Sequence, residues 1–187
     1  MQKRIFLLTG SPGVGKTTAL LRVIEKLKAK GYSVGGMISR EARQGDIRVG
    51  FEILDIAENR RGWLAHVNHK SGPKVGKYRV NLNDLEDIGV QAIMKAIERC
   101  NIIAVDEIGP MELFSEKFRV AIKAALESGK PLIGIVHWKA KDSLIESIKG
   151  RSDVEILSIT FQNRDVTPNI VLEKLENFLS KPSNAKA

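Results

Sequence analysis

The segment Gly10-Ser11-Pro12-Gly13-Val14-Gly15-Lys16-Thr17-Thr18 follows directly on the apolar run Ile5-Phe6-Leu7-Leu8. Gly10, Gly15, Lys16 and Thr17 satisfy the spacing G-x-x-x-x-G-K-[ST]. No other feature constrains the chain as much, because the pattern works only with a strand before it and a helix after it. A glycine-rich loop in that setting turns successive backbone N–H groups inward and forms an anion-binding concavity. The helix that follows adds its unpaired N-terminal N–H groups and the positive end of its dipole. Lys16 is then placed to reach the β- and γ-phosphates, and the Thr17 hydroxyl to ligate Mg²⁺. With glycine at about 7% of residues, an accidental match in a chain of this length is on the order of one in a hundred or below. Residues 10–18 therefore imply a bound nucleoside triphosphate.

Length and composition suit one domain with a single core: 187 residues, 43% hydrophobic and 28% charged. We expect that domain over residues 1–180, with a polar, flexible tail from 181 to 187. No apolar run approaches the 18 residues of a membrane span, and only four strongly apolar residues follow the basic start. With Cys100 as the one cysteine, no internal disulfide can form, in keeping with a reducing cytoplasm. The net charge is +8, which raises the question of a nucleic-acid partner. Lys and Arg recur along the whole chain, aromatics make up 5%, and no nucleic-acid-binding motif is present. A nucleic-acid partner is not expected on this basis, since polyanionic nucleotides would be attracted by the same charge. A monomer is the default expectation.

Short apolar runs alternate with amphipathic stretches. Leu20, Val23, Ile24 and Leu27 recur at helical spacing until Gly31. Residues 33–39 read as a second strand, and 47–56 as a strand or hairpin arm. The turn-rich basic region from about 40 to 80, with Trp63-Leu64-Ala65 as a further strand, reads as a small antiparallel β insertion. A helix follows over Leu85 to Ile97, with Asn83 and Glu86 resembling a capping box at its start. Ile102-Ile103-Ala104-Val105 is apolar throughout, as a parallel strand buried on both faces must be. Residues 115–128 form a helix, 132–136 a strand, 142–149 a short helix and 154–159 a last strand. Thr167 is expected to cap the final helix, with Pro168 at its first position. Five buried strands separated by helices predict a doubly wound, mainly parallel α/β sheet, with the ligand at the strands' carboxyl ends.

Asp106 stands immediately after Val105, where a Mg²⁺-holding carboxylate belongs in a triphosphate site. Glu107 is next, well placed to orient a water or take its proton, which favours hydrolysis over transfer to a second substrate. Beyond them, the order GSPGVGKTT (10–18), Arg40-Glu41 with Arg48-Val49-Gly50-Phe51, Val75-Gly76-Lys77-Tyr78, Asp106 to Leu113 (DEIGPMEL) and Asn163-Arg164-Asp165 resembles the THEP1-type nucleoside-triphosphatases. The likeness spans roughly residues 4–178. It implies a P-loop NTPase fold in which another strand separates the P-loop strand from the Asp106 strand. It also implies Mg²⁺-dependent hydrolysis of ATP, GTP, CTP and UTP to the diphosphates. Pro110 stands where lysine is expected in many members, so a role for a cation there is not carried over.

Other candidates come from position along the chain. Arg40, Arg43, Arg48 and Arg151 could touch phosphate; Asn163 and Arg164, after the last strand, could contact the base, the guanidinium by stacking. His137 ends the 132–136 strand on the catalytic edge and could sense the γ-phosphate or the attacking water. His66 and His69 lack a third ligand, so no metal site is expected there. Two rival readings stay open: a kinase using the basic insertion as an acceptor lid, and a nucleic-acid-associated protein whose triphosphate cycle drives something else.

Overall fold

The computed structural model describes residues 2–180. The expectation for the 181–187 tail lies outside them. Strand β1 (Ile5–Thr9) runs into helix α1 (Lys16–Ala29), then β2 (Val34–Gln44), β3 (Ile47–Asp55), β4 (Arg61–His66), β5 (Lys74–Val75) and β6 (Tyr78–Val80). One helical segment follows, built of α2 (Leu82–Asp84), a π-helical stretch Leu85–Val90 and α3 (Gln91–Arg99). Then come β7 (Ile102–Ile108), α4 (Glu116–Glu127), β8 (Leu132–Val136), α5 (Ser143–Lys149), β9 (Val154–Ser158) and α6 (Thr167–Leu179).

Among the described residues all nine strands share one mixed sheet, in the order β5-β6-β4-β3-β2-β7-β8-β1-β9. The β2-β7, β7-β8, β8-β1 and β1-β9 pairings are parallel, while β2-β3, β3-β4, β4-β6 and β6-β5 are antiparallel. Strand β8 thus lies between β1 and β7. The inner parallel strands β1, β7 and β8 are buried on both faces, which explains why Ile102 to Val105 and Leu132 to Val136 contain no polar residue, whereas the edge strand β9 leaves Ile156 exposed. One core layer, with Leu20, Leu27, Val171 and Leu175, packs α1 and α6 on one face. The other, with Ile93, Phe118, Ile122 and Ile145, packs α3, α4 and α5 on the opposite face. No helix among the described residues is long and apolar enough to cross a membrane.

Three boundaries differ from expectation. Strand β2 continues to Gln44, since the chain turns at residues 45–46 and returns as β3, making the insertion a direct extension of the main sheet. Asn81, not Asn83, caps the helical segment by accepting from the Asp84 N–H at 3.2 Å. Glu86 instead accepts from Ser115 and Lys117, tying that segment to α4. Thr167 is inside α6, and its hydroxyl donates to the Asn163 carbonyl at 2.9 Å instead of capping the helix.

Candidate active site

The loop from Gly10 to Gly15 leaves the carboxyl end of β1 and wraps onto the start of α1. Gly10 has φ +148°, and a Cβ there would stand 2.5 Å from the Ile159 carbonyl oxygen, so only glycine fits beside the last strand. Gly15 caps α1 in the left-handed region, at φ 103°. Val14 is buried and pins the loop to the core beneath. Lys16 Nζ donates to the carbonyls of Gly10 at 3.0 Å and Ser11 at 3.1 Å, so its ammonium spans the loop.

Strand β7 carries both candidate carboxylates. It continues through Ile108, so Asp106 and Glu107 belong to the strand itself and do not follow it. The peptide between them is cis, and the β7-β8 register shifts between Val105 and Ile108. Asp106, Glu107, Lys16 and Thr17 all line one cavity of about 580 Å³ at the carboxyl edge of the sheet. The start of α1, reached from β1, and the end of β7, which is not a neighbour of β1, thus deliver their side chains to one site.

Asp106 is buried, and its Oδ2 has no hydrogen-bond partner. Burial pushes its carboxyl up to about 7, against the opposing pull of a hydrogen bond from Thr17, and the charge of Glu107 adds to the rise. An orphaned, buried carboxylate oxygen beside a threonine hydroxyl is a costly arrangement unless a cation completes it. The donors are hard oxygens, and Mg²⁺ needs few of them from protein because phosphates and waters supply the rest. The pair fits that ion. Among the described residues no group of three or more His, Cys, Asp or Glu could hold a metal by itself.

Glu107 is partly buried, and that burial raises its carboxyl above the ordinary range, with His137 and Lys16 pulling it down. Its Oε1 lies 2.8 Å from where a Cβ would stand on Gly109, so the side chain folds back over the glycine two residues on. His137 stands on the same wall. Its N–H donates to the Ile108 carbonyl at 3.1 Å. Its Nδ1 accepts from the N–H groups of Lys139 at 3.3 Å and Ala140 at 3.0 Å. With Nδ1 so engaged, Nε2 is the ring nitrogen left to donate into the cavity. Glu112 is buried in a single 3₁₀ turn (Glu112–Phe114); burial, then the neighbouring Glu107, pushes its carboxyl well above the usual range.

The insertion supplies the facing wall through Ser39, Arg40, Glu41, Arg48 and Phe51. Arg48 is committed there. Its Nε donates to the Tyr78 hydroxyl at 2.9 Å, its Nη1 reaches Glu41 at 2.6 Å, and its guanidinium lies 5.1 Å from the Phe51 ring centroid. Arg43 is bound to the same Glu41, at 3.0 Å, and does not line the cavity. Arg40 lines the cavity without any such tether. Arg151 is not brought to this site: it precedes β9, at the amino edge of the sheet, where Asp153 at 2.9 Å and Glu127 hold it. Arg164 lies over Gly15, its Cδ 3.6 Å from the position of a Cβ there, and its guanidinium is 5.3 Å from the Phe161 ring. With Thr18 and Arg22 it borders a second cleft of about 220 Å³ next to the loop. The Asn163 amide holds the turn together, Oδ1 accepting from the Thr160 N–H and Nδ2 donating to the Ser158 carbonyl, both at 2.8 Å.

Sequence reasoning missed Phe51 and Trp138 on the cavity wall and the packing role of Gly109. Trp138 directly follows the candidate His137 and Phe51 ends the run Arg48-Val49-Gly50-Phe51, both usable signals, but only the β2-β3 pairing brings Phe51 across.

A family model described as NTPase matches residues 5–172. A protein of Thermofilum pendens named nucleoside-triphosphatase THEP1 is 41% identical over 97% of this chain and 100% of its own length. Its Thermotoga maritima namesake is 41% identical over 91% of this chain and 94% of its own. The crystal structure of THEP1 from Aquifex aeolicus superposes with a TM-score of 0.83 at 29% identity, covering 92% of this chain and 99% of that one. The solution structure of a human cancer-related nucleoside triphosphatase gives 0.80 at 31% identity, over 96% and 100%. By the family match over residues 5–172 and by these archaeal, bacterial and human likenesses, the chain belongs to this NTPase family, the THEP1 nucleoside-triphosphatases.

Proposed function

We propose that the chain hydrolyses nucleoside 5'-triphosphates to the diphosphates and phosphate, with Mg²⁺ and with little regard to the base. The observation that carries this reading is the meeting of Glu107 with Lys16 and Thr17 in one cavity, with Asp106 beside it. The loop amides of residues 10–18 cradle the phosphates, and Lys16 neutralises the β- and γ-oxygens. Thr17 and Asp106 would hold Mg²⁺, which when bound offsets the charge growing on the leaving diphosphate. Glu107 orients a water for in-line attack; the new P–O bond forms as the bridging P–O bond breaks, and the water's proton passes to the carboxylate. A raised Glu107 makes a better base than an ordinary glutamate. His137, through Nε2, is a donor to that water or to the γ-phosphate. Arg40, untethered on the wall, is the arginine positioned to meet transition-state charge, whereas Arg48 is engaged elsewhere and Arg151 is remote.

The nucleoside would leave the loop through the second cleft, where Arg164 offers a flat cation that stacks on any base. Asn163 spends one amide hydrogen and one oxygen lone pair on that turn, and its second N–H remains for a base edge. Stacking on the flat cation is the physical ground for accepting ATP, GTP, CTP and UTP alike. The relatives are named as triphosphatases and not as kinases, so the transfer reading loses its support.

The test is phosphate release from all four triphosphates with and without Mg²⁺, for the wild type and for Glu107→Gln. The wild type should turn over each of them only with the cation. The variant should lose at least roughly 10²-fold in kcat while still binding nucleotide. Full activity in Glu107→Gln would overturn the assignment.

A further inference from the structure

Most of the positive charge that the whole chain carries in excess sits in one small part of the sheet. Residues 59–83 contain six Lys and Arg and no Asp or Glu, while the rest of the chain holds 24 cations against 22 acids. This stretch of the insertion therefore accounts for +6 of the net +8. Pairing then sorts these side chains by face, since directly opposed residues in a sheet point the same way. Lys74 is opposite Arg79, Arg79 is opposite His66, and His66 is opposite Gly50. A register shift between Phe51 and Glu52 leaves Leu64 as an extra residue in β4. Leu64 and Ala65 consequently both point inward, and Trp63 emerges on the same outer side as His66, their rings 4.5 Å apart. Arg61, two residues before Trp63, shares that side. The opposite face is covered: a Cβ on Gly62 would strike Asp84 and Ile88 of the helical segment at 2.6 Å.

The outer face of β4, β5 and β6 is therefore an open sheet surface with Lys74, Arg79 and Arg61 around an indole and an imidazole in edge-to-face contact. Trp63 is 37% exposed. Glu52, opposite Trp63, is the one carboxylate on it. We infer that this face binds single-stranded nucleic acid, its cations tracking phosphates and the Trp63–His66 pair stacking on bases. Aromatic rings on an open sheet with flanking cations is the recognition chemistry of single strands, which expose base faces that a duplex hides. None of these side chains lines the nucleotide cavity, so the surface does not depend on the proposed hydrolysis. The notion that basic residues are merely spread along the sequence overlooks the 22 acids that neutralise the remainder.

The experiment is fluorescence anisotropy of labelled 16-nucleotide oligouridine RNA with the full chain, titrated at several salt concentrations, with heparin and phosphatidylserine vesicles as competing probes. Affinity should fall with salt, with a log–log slope of about −2 to −3 for three to four phosphates. Lys74→Glu with Arg79→Glu should lower that slope and weaken binding by about 10²-fold. Trp63→Ala should weaken it ~10-fold with the slope unchanged. Phosphate release by these variants, equal to wild type, shows that they fold. Absence of RNA binding overturns the inference. So does binding that Trp63→Ala leaves intact, which marks simple charge adhesion of the heparin kind, or displacement of the RNA by vesicles at lower concentration than by unlabelled RNA.

Discussion

Gly109→Ala should slow hydrolysis without harming nucleotide binding or the fold. In the native protein the Gly109 Cα lies under the Glu107 side chain. A Cβ built there would stand 2.8 Å from Glu107 Oε1, 3.1 Å from its Cγ and 3.3 Å from its Cδ. Ordinary contacts begin near 3.4 Å, so the carboxylate must retreat by at least ~0.6 Å. The obstacle is the end of a flexible side chain, not backbone, and retreat costs little stability. Retreat does move the oxygen that steers water. Because a misplacement of roughly 1 Å can cost 10²-fold, we expect kcat to fall about 10- to 100-fold with KM and diphosphate affinity near wild type. The melting temperature should shift by no more than about 2 °C. Phosphate release on Gly109→Ala, Glu107→Gln and the double variant reads this directly. If Gly109 acts only through Glu107, the double variant should be no slower than Glu107→Gln. Gly134→Ala is the contrasting control, since its Cβ would meet the Val105 carbonyl oxygen at 2.6 Å and destabilise the sheet. The reasoning is refuted if Gly109→Ala retains kcat within twofold, or if its loss adds in full to that of Glu107→Gln.

Lys16→Ala removes the ammonium that spans the loop and should weaken triphosphate binding by on the order of 10²-fold, measured by calorimetry. Trp138 lines the cavity while Trp63 does not, so adding nucleotide should change tryptophan emission in Trp63→Phe and leave Trp138→Phe silent. Asp153 is buried against Arg4 at 2.8 Å and Arg151 at 2.9 Å, and Arg151 first, then Arg4, holds its carboxyl below 3.8. A depressed carboxyl contributes stability that is complete above its unfolded value and disappears as pH falls through the folded one. Asp153→Asn should therefore cost about 2–4 kcal/mol at neutral pH in urea unfolding and differ less from wild type as pH falls below the ordinary aspartate range.

How much of this was legible along the chain depends on how far each feature reaches. Gly10 to Thr18 carries its own instructions, because the loop's amides, its lysine and its helix start are neighbours in sequence. The runs Ile102 to Val105 and Leu132 to Val136 declare themselves buried, and Asp106 is conspicuous as the first charge after such a run. Arg151 shows where this kind of reading fails. Its place before β9 made it a candidate phosphate contact, yet whether an arginine meets phosphate or carboxylate is decided by α4 and by residue 153, and both lie at the sheet's other edge. The same applies to Thr167 and Asn83, whose cap-like residue types are overridden by Asn163 and Asn81 a few residues upstream. The insertion is the sharper case. Trp63 and His66, three apart, should fall on opposite faces of a regular strand, and one extra residue at Leu64 reverses that. No composition or periodicity announces a bulge that exists only in the pairing of β3 with β4. Local chemistry can be read from the chain itself, whereas the neighbours of a side chain are set by register, and register is a property of two strands at once.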